Sequence, residues 1–63
     1  MRIIIKHFKY EYEYKNDNLN MIKKTEDKRF GESDIFDVVF NNSIKYTGNM
    51  NNCLKYIQSN FKG

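Results

Sequence analysis

Phe8-Lys9-Tyr10-Glu11-Tyr12-Glu13-Tyr14-Lys15 alternates aromatic and charged residues without error. That is the two-residue period of a β-strand with one buried face and one solvated face. Immediately upstream, Ile3-Ile4-Ile5 is β-branched at three successive positions, as in a strand covered on both sides. No turn residue separates the two stretches. The reading is therefore one long strand over about 2–14, with a bulge allowed near Lys6-His7.

Downstream, Asn16-Asp17-Asn18 is a turn signal. Leu19 to Thr25 returns as a second, antiparallel strand, although Asp17 could instead cap a short helix carrying Leu19 and Ile22 on one face. Glu26 to Asp34 is a polar loop containing Gly31. Ile35 to Phe40 is a strand whose stronger apolar face holds Phe36, Val38 and Phe40. Asn41-Asn42-Ser43 is a hairpin turn, because Asn tolerates positive φ. Ile44 to Thr47 is the return strand, with Ile44 and Tyr46 on one side. Gly48 then breaks the pattern and Asn49 is a good helix N-cap. Met50, Cys53, Leu54, Ile57 and Phe61 form one stripe of an amphipathic helix over about 49–61, and Gly63 stands where a stop is expected. The expected fold is a single α+β domain over 1–63. It is a small antiparallel sheet of three to four strands, in the order β-β-β-β-α, with one C-terminal amphipathic helix packed on it.

Sixty-three residues make a thin core, and domains of this size often gain stability from disulfides, metals or partners. Cys53 is the only cysteine and His7 the only histidine, so the expectation is no disulfide, no metal and no cofactor. A lone thiol suits a reducing compartment. Lys6 and His7 end the first apolar run after three isoleucines, too short for an export signal or a membrane span. A cytoplasmic location and no membrane association are therefore expected. The net charge of +3 is uneven: residues 1–25 and 38–63 are basic, whereas 26–37 hold five acids against Lys28 and Arg29. Such a pattern most simply describes a solvated surface with an acidic loop, which could also dock on a basic groove of a partner.

Catalytic residues are not expected. A Cys nucleophile needs a base, and Cys53 lies on the apolar stripe of the helix, where it serves as a small buried hydrophobe. Glu11 and Glu13 share a strand face and could divide acid and base roles. They alternate with Lys9 and Lys15, so cross-strand ion pairing is the simpler account. The row Phe8, Tyr10, Tyr12 and Tyr14 carries the most functional weight. It suits a core face for Phe8 and Tyr10. It also suits a protein interface, since Tyr is frequent at binding hot spots, or a stacking platform for single-stranded nucleic acid. A helix of about 11 residues is only about 16 Å long. A 13-residue strand reaches about 43 Å, so one end should overhang the helix. The candidate partner-binding residues are Tyr10, Tyr12 and Tyr14 with Lys9, Glu11 and Glu13 beside them.

Residues 35–61, with Val38-Val39-Phe40-Asn41-Asn42-Ser43-Ile44-Lys45-Tyr46-Thr47-Gly48 running into Cys53-Leu54-Lys55-Tyr56-Ile57, resemble the hairpin-then-helix ending of short bacteriophage and mobile-element accessory proteins. Anti-CRISPR and other anti-defence proteins belong to that broad kind. The resemblance implies a non-catalytic inhibitor of a host protein or protein complex and carries over no functional residue. A nucleic-acid binder using lysines and the tyrosine row, and a structural or regulatory homodimer, are the other expectations.

Overall fold

The computed structural model of the protein describes residues 2–25 and 29–61. Its elements are β1 (Ile3–Lys6), β2 (Tyr10–Lys15), β3 (Asn18–Lys24), β4 (Ile35–Phe40), β5 (Ser43–Asn49) and α1 (Met50–Asn60). The strands form one sheet in the order β3-β2-β1-β4-β5, with every neighbouring pair antiparallel. The α+β class and the C-terminal helix match the sequence reading, and the segment after Asp17 is a strand rather than a helix. Glu26, Asp27 and Lys28 of the polar loop, and the stop expected at Gly63, lie outside the described residues.

The sheet has five strands rather than three to four because the unbroken strand expected over 2–14 is a hairpin. Ile3 pairs with Tyr14, Ile5 with Tyr12 and Lys6 with Glu11. The turn contains no Gly, Asn or Asp, and neither Phe8 nor Lys9 has positive φ. The His7 side chain supplies what the turn lacks. Its Nδ1 accepts the Lys9 N–H at 3.0 Å, while the His7 N–H donates to the Tyr10 carbonyl at 2.8 Å. Two residues thereby reverse the chain without the usual backbone chemistry of a hairpin loop. The reversal places Phe8 at the tip, where it is 79% exposed, so Phe8 leaves the core in which the alternation had placed it. The overhang inferred from a 43 Å strand falls with the strand itself.

The other two hairpins follow the expected rule. Asn16 and Asp17 have φ of 52° and 62°, and Asn41 and Asn42 have 51° and 62°. Two successive left-handed residues give a turn whose twist matches that of the strands. One residue is extra in β5, since Val38 faces Tyr46 but Val39 faces Ile44. That bulge turns Ile44 away from the face of Tyr46 and leaves it 63% exposed, correcting the expectation that the two share a side.

Helix α1 begins at Asn49, whose side-chain oxygen accepts the Asn52 N–H at 2.9 Å. It packs on β4 and β5 and buries Met50, Cys53 and Ile57. Leu54 and Phe61 are half-buried flanks of that stripe rather than its centre. Beneath the helix lie Ile3, Ile5, Tyr10, Phe36 and Val38, all on the inner face and each at most 2% exposed. Burying side chains of this size contributes about 1.5–3 kcal/mol each, which makes this patch the source of stability. Gly48 faces Phe36 across the β4–β5 pair. A Cβ there would stand 3.0 Å from the Tyr46 ring, so the glycine makes room for Tyr46 to stack on Tyr56, with centroids 4.8 Å apart.

Candidate functional site

The register carries two rows of side chains across the inner face, from the core to the free edge of β3. One runs Val38, Ile5, Tyr12, Met21, and the other Ile3, Tyr14, Leu19. Both rows are apolar or aromatic along their whole length, but the helix covers only their first members. Ile5 is 0% exposed, Tyr12 half-buried and Met21 57% exposed. Ile3 is 1% exposed, Tyr14 half-buried and Leu19 36% exposed. The sheet thus presents an apolar wing, β2 and β3, beyond the reach of its helix. A surface helix cannot shield five strands, because its apolar stripe is one side chain wide on either flank.

Phe30 returns from the loop before β4 to close the inner end of the wing. Its ring stands edge-on to Tyr12, Tyr10 and Phe36, at centroid distances of 5.8, 6.1 and 5.3 Å. Between Phe30 and the β3 edge lies an open cleft of about 450 Å³ lined by Tyr12, Leu19, Met21, Lys24, Arg29 and Phe30. Among the described residues its lining holds two cations, Lys24 and Arg29, and no acid. Burial, helped by the neighbouring Tyr10, pushes the Tyr12 phenol up, so it remains a neutral hydroxyl at physiological pH. The Tyr14 hydroxyl reaches Asp17 Oδ1 at 3.4 Å at the far corner of the wing.

The residues singled out from sequence do not form one patch. Tyr12 and Tyr14 lie on the wing. Tyr10 is 2% exposed, with its ring among His7, Phe30 and Phe36, so it is a core residue that a partner cannot touch. Glu11 and Glu13 point to the opposite, outer face. There Lys23, Glu11, Lys6, Asp37 and Thr47 stand side by side in register, so the signs alternate across the sheet, and Thr47 Oγ donates to Asp37 at 2.8 Å. Glu13 pairs with Arg2. This row serves as a cross-strand charge ladder, worth a fraction of a kcal/mol per pair. Lys9 sits in the β1–β2 turn, with its Nζ 5.3 Å from the centroid of Phe8 and its carbonyl accepting the Thr25 N–H. The members of the wing that sequence reasoning missed are Leu19, Met21, Lys24, Arg29 and Phe30. Alternation within 18–24 could have placed Leu19 and Met21 together. Nothing in a polar loop announces Phe30 as an anchor.

The groups weighed for catalysis are occupied structurally. Cys53 is fully buried, and its thiol donates to the Gly48 carbonyl at 3.3 Å. Burial pushes the thiol up and outweighs the opposing hydrogen bond with Gly48, the carboxylate of Asp37 adds to the rise, and the reactive thiolate is suppressed. His7 packs against Phe8, Tyr10 and Phe36, and its Nε2 lies 3.7 Å from Asp34. Among the described residues no group of three His, Cys, Asp or Glu side chains is placed to hold a metal ion. No described helix is long and apolar enough to cross a membrane. A smaller hollow of about 290 Å³ lies between Phe30, Gly31 and Glu32 and the start of α1. Two polar groups at its rim are paired in the turn and cap, Gly31 N–H with Asp34 at 2.7 Å and Asn49 with Asn52.

No protein-family model, curated protein or solved structure matches this chain.

Proposed function

We propose that the protein is a non-catalytic protein-binding module that seats its partner on the open inner face of β2 and β3. The observation that carries this reading is the gradient of exposure along two continuous apolar rows, which begin in the core and end in solvent at Leu19 and Met21. An uncovered extension of a core face is what a partner completes, and aromatic residues at its inner end supply rigid contact area. Lys24 and Arg29 at the rim favour a partner segment that brings an acidic group beside an apolar one. A nucleic-acid platform is less well supported. Successive bases stack on exposed ring faces, whereas Tyr12 is tied into a ring cluster and the rows end in aliphatic side chains. An inhibitory role against a host protein is the form of binding that the resemblance of residues 35–61 implies, and identification of the partner decides it.

The test is capture from the cells that make the protein, with nuclease treatment, comparing wild type with Leu19→Ser combined with Met21→Ser. A control, Ile44→Ser, alters an even more exposed apolar residue on the opposite face. The wing variant should lose its partner while the control keeps it, and the contact should weaken only modestly between low and physiological salt. A partner held equally by both variants places binding elsewhere. Loss of all partners on nuclease treatment, with steep salt dependence, moves the reading to nucleic acid.

A further inference from the structure

The free edge of β3 has a pattern that the wing alone does not explain. All seven of its residues are exposed, and among the described residues β3 pairs only with β2. Its turn leaves two residues between Lys15 and Asn18, so that pair exchanges both main-chain bonds, and bonding alternates from there. Asn20 therefore bonds inward to Glu13. Leu19 and Met21 direct their N–H and C=O groups outward, away from β2. Only beyond Met21 does the strand bulge, at Ile22, where Glu11 faces Lys23 but Tyr12 faces Met21.

We infer that this edge is built to pair with a second copy of itself, antiparallel about a two-fold axis at Asn20. In that register Leu19 of each chain exchanges main-chain bonds with Met21 of the other, using the outward groups of both. Leu19 and Met21 both lie on the inner face, so apolar meets apolar. Asn20 meets Asn20 on the outer face, amide against amide. The two neighbouring registers lack this fit. Centring on Met21 puts Leu19 against Lys23, and centring on Leu19 puts Met21 against Asp17 in the turn. Register in a sheet is chosen by such face matching, because a shift by one residue inverts every side chain. The result is a continuous ten-stranded sheet with both helices on one face. The two wings join into a single apolar floor between them. This goes beyond the proposed partner binding, which needs only one wing.

The experiment measures molecular mass against concentration by sedimentation for the wild type and two variants, each also melted thermally. Wild type should show a monomer–dimer equilibrium. Asn20→Lys sets two like charges together at the axis, yet within its own chain faces Glu13, so folding is preserved. It should raise the dissociation constant by about tenfold or more. Mixing Asn20→Lys with Asn20→Glu should restore the dimer as a heterodimer. Met21→Pro removes an outward N–H without touching the β2 ladder and should have the same effect as Asn20→Lys. A wild type that stays monomeric at every soluble concentration overturns the inference, as does a dimer that survives Asn20→Lys unchanged. Neither result bears on capture of a foreign partner, since Asn20→Lys leaves the inner face intact. A monomer that still captures its partner separates the two ideas.

Discussion

The β2–β3 and β4–β5 hairpins are the same device used to opposite ends. Each turns on two left-handed residues, Asn16-Asp17 in one and Asn41-Asn42 in the other. Each carries one bulged residue in its second strand, Ile22 in β3 and Lys45 in β5. Yet β4 buries Phe36 and Val38, whereas every residue of β3 is exposed. The difference comes from the segment each hairpin leads into. After β5 the chain enters α1 at once through the Asn49 cap and folds back over β4 and β5. After β3 the chain leads to Phe30, whose ring meets Tyr10, Tyr12 and Phe36 at the inner end of the wing and leaves Leu19 and Met21 exposed. Stability thus gathers in one half of the sheet, and the other half is left uncovered.

The largest expected contrast tests that division directly. Phe36→Ala should cost about 3–5 kcal/mol, because it removes the ring that joins His7, Tyr10, Tyr12 and Phe30 over the core. Met21→Ala should stay within about 0.5 kcal/mol. Both are read from urea unfolding, and equal costs would erase the distinction between halves. Next in size are the turns. Asn42→Val and Asp17→Val each force a β-branched residue to positive φ and should each cost roughly 1–2 kcal/mol. Matching costs would show the hairpins to be equivalent, and a free substitution at Asp17 would mean that the wing's turn is not held as tightly. Asn49→Ala should cost about 1 kcal/mol, seen as a lower melting temperature, because it unpairs the Asn52 N–H at the helix start.

The smallest effect is alkaline. Cys53 and Tyr12 both have their ionisation pushed up by burial, so the folded chain holds these protons more tightly than the unfolded one. Stability from this source is complete below the ordinary thiol value of 9.0 and is lost as pH rises from there through the folded values. Melting temperature should be flat through neutral pH and fall above that point. Cys53→Ala, which has no proton to lose, should begin its fall later. A fall that starts below neutral pH would contradict the placement of both groups.

Much of the architecture was legible because local rules and tertiary structure agree. Alternation placed β2 and β4, the Asn-rich turns placed two reversals, and the stripe from Met50 to Ile57 placed the helix and the buried Cys53. The first turn was illegible because its signal is a side chain. His7 reverses the chain by accepting a main-chain N–H, and no propensity rule assigns that role to histidine. The missed turn misplaced Phe8, and it lent Tyr10 a binding role that burial forbids. Glu11 and Glu13 stand in the charge ladder that the alternation implies, but they face away from the tyrosines, so no single surface holds both sets.

Which residues share a face follows from the chain's own period wherever a strand or helix stays regular, and shifts where a bulge such as that at Lys45 interrupts it. The two left-handed turns and the helix cap are local in the same sense. Which faces become core is a tertiary matter. A face is buried only if another element is long enough and near enough to cover it, and that depends on strand order. With β1 at the centre and β3 at the edge, the same apolar row passes from Ile5 beneath the helix to Met21 in solvent. Burial is a property of neighbours in space, and the chain's own order places Met21 sixteen residues from Ile5 but only two strands away.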